Sequence, residues 1–136
     1  MMPPSGSRLK SKARIAAHLD GHRAEALGAW FLRLKLYRIV ATRYKTPVGE
    51  IDLVAERFGV TVFVEVKARR QASGMADALG AVNQQRIVRA ARYWTAMHPA
   101  KAGSNMRFDV IFLAPRQWPR HVINAFDAFD AFDASQ

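Results

Sequence analysis

Apolar residues recur along the chain with two different periods, and the switches between them mark out the elements. From 14 to 36 the spacing is helical. Leu19, Ala26, Leu27, Trp30, Phe31 and Leu34 form one stripe, and Ala29, Leu32 and Leu36 form a second on the far side. Two stripes predict a helix covered on both faces. Three strand-like runs follow. The run 37–44 is short and β-branched in its middle. The run 49–55 alternates, with Ile51 and Leu53 on one face, and 60–68 alternates with Val62, Val64 and Val66 on one face. Residues 76–97 return to helical spacing through Ile87, Ala90, Ala91, Trp94 and Met97, and His98-Pro99 and Gly103 end that helix. Two further strands, 106–113 and 120–125, are parted by Pro115 and Trp118-Pro119. The order αβββαββ predicts an α/β fold, a mixed central sheet flanked by helices. Trp30, Phe31, Trp94 and Phe108 lie on the apolar stripes and are expected in the core.

The 136 residues suit one domain, assigned to 14–126. Residues 1–13 are rich in Pro, Ser and basic groups and read as a disordered basic tail. Ala-Phe-Asp occurs three times in succession from 125 to 133, so 127–136 reads as an acidic low-complexity tail. No run of 18 apolar residues is present, and the first 14 residues lack an apolar signal core. Neither a membrane span nor a secretory signal is expected. The absence of cysteine excludes disulfides, thiolate zinc sites and a cysteine nucleophile, and fits a cytoplasmic protein. Charge changes the picture more. The chain carries 21 Lys and Arg against 11 Asp and Glu, a net of +10. Residues 1–124 hold 21 bases and only eight acids, a net of +13. Such a body attracts polyanions, nucleic acid first among them. Basicity that merely aids solubility, or that suits an anionic membrane surface, is the alternative.

Against that background the acids of the two middle strands stand out. A turn centred between Phe58 and Gly59 would set Arg57 opposite Val60, Asp52 opposite Glu65 and Glu50 opposite Lys67. Opposed residues share a face, about 4.5–5.5 Å apart at Cβ. Two carboxylates so placed repel unless a cation lies between them, which points to a divalent metal. The plainer reading is a cross-strand Glu50–Lys67 ion pair with Asp52 in solvent.

The strings Gly49-Glu50-Ile51-Asp52-Leu53-Val54-Ala55 and Phe63-Val64-Glu65-Val66-Lys67-Ala68-Arg69 resemble the core motif of the YraN-like family of endonuclease-related proteins. That family is assigned to the PD-(D/E)XK, or restriction-endonuclease-like, superfamily. Arg23-Ala24-Glu25, Arg107-Phe108-Asp109-Val110 and Asn124-Ala125-Phe126 agree with it, so the resemblance spans roughly 20–126. It implies a restriction-endonuclease-like fold and a metal-dependent endonuclease hydrolysing DNA, branched or otherwise structured DNA included. It implies a Mg²⁺ or Mn²⁺ site at Asp52 and Glu65, with the Val66 carbonyl as a further ligand, Lys67 as the catalytic lysine and Glu25 completing the site. Glu50 would orient Lys67. On the helical wheel Glu25 shares the stripe of Ala29, Leu32 and Leu36, so a metal or Lys67 would be its partner. The lysine that family members often carry at the start of the second helix is Asn83 here, which leaves Gln84, Gln85 or Arg86 for phosphate. Related resolvases act as dimers, which makes a homodimer one expected assembly.

Arg86, Arg89 and Arg92 step along the second helix, and with Arg69 and Arg70 they could line a nucleic acid, DNA first and RNA as the other option. A solvated helix face is the plainer reading. His18 and His22 have the i, i+4 spacing of metal ligands, but the Glu of the zinc-hydrolase helix motif is missing. The competing functional expectation is a non-catalytic nucleic-acid-binding protein on the same fold.

Overall fold

The computed structural model describes residues 21–68 and 83–127. Within them helix α1 covers 21–34. Strands β1 (Arg38–Thr46), β2 (Gly49–Arg57) and β3 (Val60–Ala68) follow. Helix α2 (Gln84–Met97), a 3₁₀ turn at Pro99–Lys101, β4 (Asn105–Leu113) and β5 (Arg120–Phe126) complete the order αβββαββ. The tail 1–13, His18, Arg69, Arg70, the expected helical stretch 76–82 and the Ala-Phe-Asp repeats beyond 127 lie outside the described residues.

The five strands form one mixed sheet in the order β1-β2-β3-β4-β5. β1 to β3 are antiparallel neighbours, β3 and β4 are parallel, and β4 and β5 are antiparallel. A parallel pair needs a long crossover, and α2 lies in that connection. β2 and β3 are joined by two residues, Phe58 (φ 50°) and Gly59 (φ 76°). Left-handed backbone at both positions matches the twist of the flanking strands. The expected register follows: Arg57 pairs with Val60 and Leu53 with Val64.

Both faces of the sheet are buried. α1 covers Leu53, Ala55, Val62, Val64 and Val66 with Ala24, Ala29, Phe31 and Leu32. On the other face Ile87, Val88, Ala91 and Trp94 of α2 pack on Val54, Phe63, Phe108 and Phe126. Phe108 stacks on both Phe63 and Phe126, at centroid distances of 5.5 and 5.0 Å. Asn83 caps α2, its Oδ1 accepting the Arg86 N–H at 3.1 Å. At the far end the His98 ring stacks on Trp94 at 4.2 Å, and Pro99 prevents further helix.

Two sequence expectations are corrected. The inward face of α1 is the one with small residues. Leu27 and Trp30 are about half exposed, at 52% and 47%, as is Leu34, and Trp30 meets Trp118 edge-on at the surface. Ala24, Gly28 and Ala29 turn inward instead. A Cβ on Gly28 would sit 3.0 Å from Val66 Cγ2, so small side chains are what let the helix approach the sheet. Leu36 is exposed because it ends the helix in left-handed backbone (φ 68°). There the Tyr37 and Leu36 N–H groups return to the Leu32 and Arg33 carbonyls, each at 3.0 Å. Ile51 packs with the α2-side cluster, while Leu53 packs with the α1-side one.

Asp109 on β4 is fully buried and accounts for all its oxygens. Arg107 Nε and Nη2 donate to its two oxygens, each at 2.8 Å. His121 Nε2 donates at 2.7 Å and the Asn124 N–H at 2.9 Å. Lys35 Nζ donates to His121 Nδ1 at 2.7 Å, which fixes the His121 proton on Nε2. Burial would raise the Asp109 carboxyl, but His121, Arg107 and the Asn124 N–H together hold it below its ordinary value. This network ties the end of α1 to β4 and β5. Among the described residues no helix is long and apolar enough to cross a membrane.

Candidate functional site

The β2–β3 ladder stops at Leu53–Val64, and the next residues outward are Asp52 and Glu65. Asp52 Oδ2 there accepts the Val66 N–H at 2.8 Å. A side chain thus replaces a ladder carbonyl, and the strands part just where the two acids stand. In an extended strand the N–H and C=O of one residue leave on the same side. The Val66 carbonyl therefore also faces the gap.

Four of the expected groups converge on this fork. Asp52 lies against both Glu65 and Glu25, close enough to act on each carboxyl. Lys67 Nζ is 3.3 Å from Glu65 Oε1. Glu65 is mostly buried, and burial together with the Asp52 charge pushes its carboxyl up to about 7, while Lys67 pulls the other way. Glu25 is also raised, by burial first and then by Asp52 and Glu50, against the opposing pull of Arg43. Gly28 explains how Glu25 arrives. It lies one turn on, against Val66 and Leu53, and the close approach it permits swings Glu25 toward Asp52.

Glu50 is exposed and opposite Lys45 on β1, near enough to the cluster to act on Glu25, while Lys67 lies against Glu65. Arg86 and Arg89 are exposed on α2, as is Arg92, while Gln84 and Gln85 are half-buried. Gly49 fixes the start of β2 against that helix, since a Cβ there would lie 2.3 Å from the Arg86 carbonyl oxygen.

Arg43 is a member of the site that the sequence reading missed. It lies on β1 between the pairs Thr42–Leu53 and Tyr44–Ile51, hence across from Asp52. Its backbone is left-handed (φ 52°), and its Nε is 3.2 Å from Glu25 Oε2. No sequence signal marks a left-handed arginine inside a strand.

The donor set suits a divalent cation: carboxylates of Asp52 and Glu65, with Glu25 beside them, and a backbone carbonyl aimed at the same gap. Two of these carboxyls are raised, by burial first and then by neighbouring carboxylates, and a cation would offset both. Among the described residues, however, no group of three or more His, Asp or Glu side chains is already gathered as a metal cage. Lys67 and Arg43 balance the acids instead.

A mixed α/β domain carrying an acid–lysine cluster at the fork of a hairpin is the class defined so far. The chain belongs to the family described as uncharacterised protein family UPF0102, whose sequence model matches residues 24–113 and so contains the whole cluster. It is 47% identical to a UPF0102 protein of Bradyrhizobium diazoefficiens over 93% of this chain and 98% of the relative. It is 48% identical to a UPF0102 protein of Methylobacterium nodulans, over 86% and 91% of the two chains. A UPF0102 protein of Rhodopseudomonas palustris is 51% identical over 85% of this chain and 88% of that one. The YraN-like resemblance is thereby borne out at the level of the family.

Proposed function

We propose that this domain is a metal-dependent nuclease that hydrolyses DNA phosphodiester bonds, built on the PD-(D/E)XK plan. The observation that carries it is the meeting of Asp52, Glu65, Lys67 and Glu25 where β2 and β3 separate. Asp52 and Glu65, with the Val66 carbonyl and Glu25, would hold Mg²⁺ or Mn²⁺. Such an ion, when bound, lowers the pKa of its water and takes up negative charge on the phosphate. Lys67, whose ammonium lies 3.3 Å from Glu65 Oε1, would neutralise the attacked phosphate or align the water. Glu65, raised to about 7, would lose its proton near neutrality and become a ligand. The exposed arginines of α2 support backbone contact without base reading.

The test is cleavage of duplex, flap, single-stranded and four-way DNA with Mg²⁺ or Mn²⁺. Asp52→Asn and Lys67→Ala should abolish cutting, and variants as active as wild type would refute the mechanism.

One observation favours a second reading, nucleic-acid binding without catalysis. Lys67 and Arg43 already compensate the carboxylates. That reading expects steeply salt-dependent DNA or RNA binding, no cleavage with any metal and no metal uptake by calorimetry.

A further inference from the structure

A cavity of about 290 Å³ opens between α1 and β1, beside the acid cluster. Its polar lining is His22, Glu25, Arg33, Thr42 and Arg43. Glu25 belongs to both places, so whatever fills the cavity lies next to the cluster. We infer that this cavity is a phosphate subsite for the nucleic-acid strand, taking a phosphate adjacent to the one at the Asp52–Glu65–Lys67 cluster. The inference rests on the nucleic-acid reading of that cluster and adds the residues that grip the strand beside it.

Three observations converge. The first is the backbone of Arg43. A left-handed φ of 52° is uncommon for a non-glycine residue and is disfavoured in a strand. Such a conformation persists where the surroundings fix it, and it commonly serves a site. Here it lies opposite Asp52 in a register that runs on unbroken, and its side chain crosses to α1. The second is where the guanidinium goes. It reaches from Glu25 Oε2 at 3.2 Å to the His22 ring, where Nη1 lies against both ring nitrogens, with about a third of the side chain exposed. A guanidinium forks onto two phosphate oxygens as readily as onto a carboxylate. The third is charge. Two arginines face one glutamate, so the lining favours an anion.

The strand would enter along α1, with Arg33 and Arg43 on one phosphate and the neighbouring phosphate at Lys67. Arg43 would turn part of its fork from Glu25 to the phosphate, freeing the Glu25 carboxylate for the cluster. No bond is made or broken in this step.

The experiment is fluorescence anisotropy of the full chain with a labelled DNA duplex across a salt series, together with thermal unfolding. Arg43→Asn keeps a residue that tolerates left-handed backbone and removes the guanidinium. It should weaken binding about tenfold and make the salt slope shallower by about one unit, with the Tm unchanged or raised. Arg33→Gln should act in the same direction. Unchanged affinity and slope would overturn the inference, as would a loss of binding that only tracks a fall in Tm. A wild-type chain that binds polyglutamate but no DNA would overturn the ligand. Cleavage by Asp52→Asn and Lys67→Ala separates the two ideas. If neither variant nor wild type cuts, yet Arg43→Asn weakens binding, the nuclease reading fails and the subsite stands. If those variants abolish cutting and Arg43→Asn binds normally, the reverse holds.

Discussion

Asp52 Oδ2 accepts the Val66 N–H at 2.8 Å, at the point where β2 and β3 cease to pair. One carboxylate thus closes the end of a ladder and leaves its second oxygen for the gap.

Asp52→Asn and Asp52→Ala should therefore part company in stability. Asparagine keeps an oxygen that accepts the Val66 N–H, and alanine leaves that N–H unmet. Alanine should cost about 1–3 kcal/mol and asparagine little. Urea unfolding checks this, and equal stability would show that the bond does not secure the fork.

Glu65 makes stability fall as pH rises. Its carboxyl is raised in the folded protein from 4.5 to about 7, so the folded state holds a proton that the unfolded chain has lost. The cost is absent below the unfolded value, grows between the two and is complete above the folded one. Glu65→Gln should remove it, stabilising the protein at pH 8 by about 1–3 kcal/mol and leaving pH 4.5 unchanged. Chemical unfolding at the two pH values is the check. A variant no more stable at pH 8 would mean that the acid is already neutralised.

Asp109 has the opposite sign. Its carboxyl is held below 3.8 despite burial, so its contribution is complete above that value and is lost as the pH falls through the folded one. Asp109→Ala leaves Arg107 and the nearly buried His121 without their carboxylate and should cost about 3–5 kcal/mol. His121→Ala should cost less, because Arg107 and the Asn124 N–H remain on Asp109. Midpoints from thermal unfolding at pH 7 decide the order.

Gly49→Ala should disturb the site from outside it. The new Cβ meets the backbone oxygen of Arg86 at 2.3 Å, so α2 or the start of β2 must move. A cost of about 1–3 kcal/mol is expected, with loss of any activity that Asp52 supports. An unchanged Tm would show that the contact is soft.

The strands were legible in the sequence because alternation has an integer period, and two-residue turns leave little freedom. Val60–Ala68 coincides with the run of alternating valines, and the Phe58–Gly59 turn gives the register through Leu53–Val64. Asp52, Glu65, Lys67 and Glu25 could be brought together from that register and the resemblance. The orientation of α1 was not legible. A wheel weights large apolar residues, and here Ala24, Gly28 and Ala29 face the sheet because closeness matters more than size. Trp30, expected in the core, is left at the surface for the same reason. The parting of the strands also escaped, since it depends on one side chain bonding to one backbone N–H. Arg43 and the Lys35–His121–Asp109 chain depend on contacts across 86 positions or on a single backbone angle, which no local pattern carries.

The tight Phe58–Gly59 turn has a consequence at the opposite end of its hairpin. Antiparallel pairing is a counting rule, so the number of residues in the turn is the address at which each acid is delivered. One extra residue absorbed into that tip as a change of register would shift one strand by a single place. A valine, Val64 or Val66, would then arrive where Glu65 stands. The spatial reading frame of the hairpin is set at a tip that touches none of the chemistry.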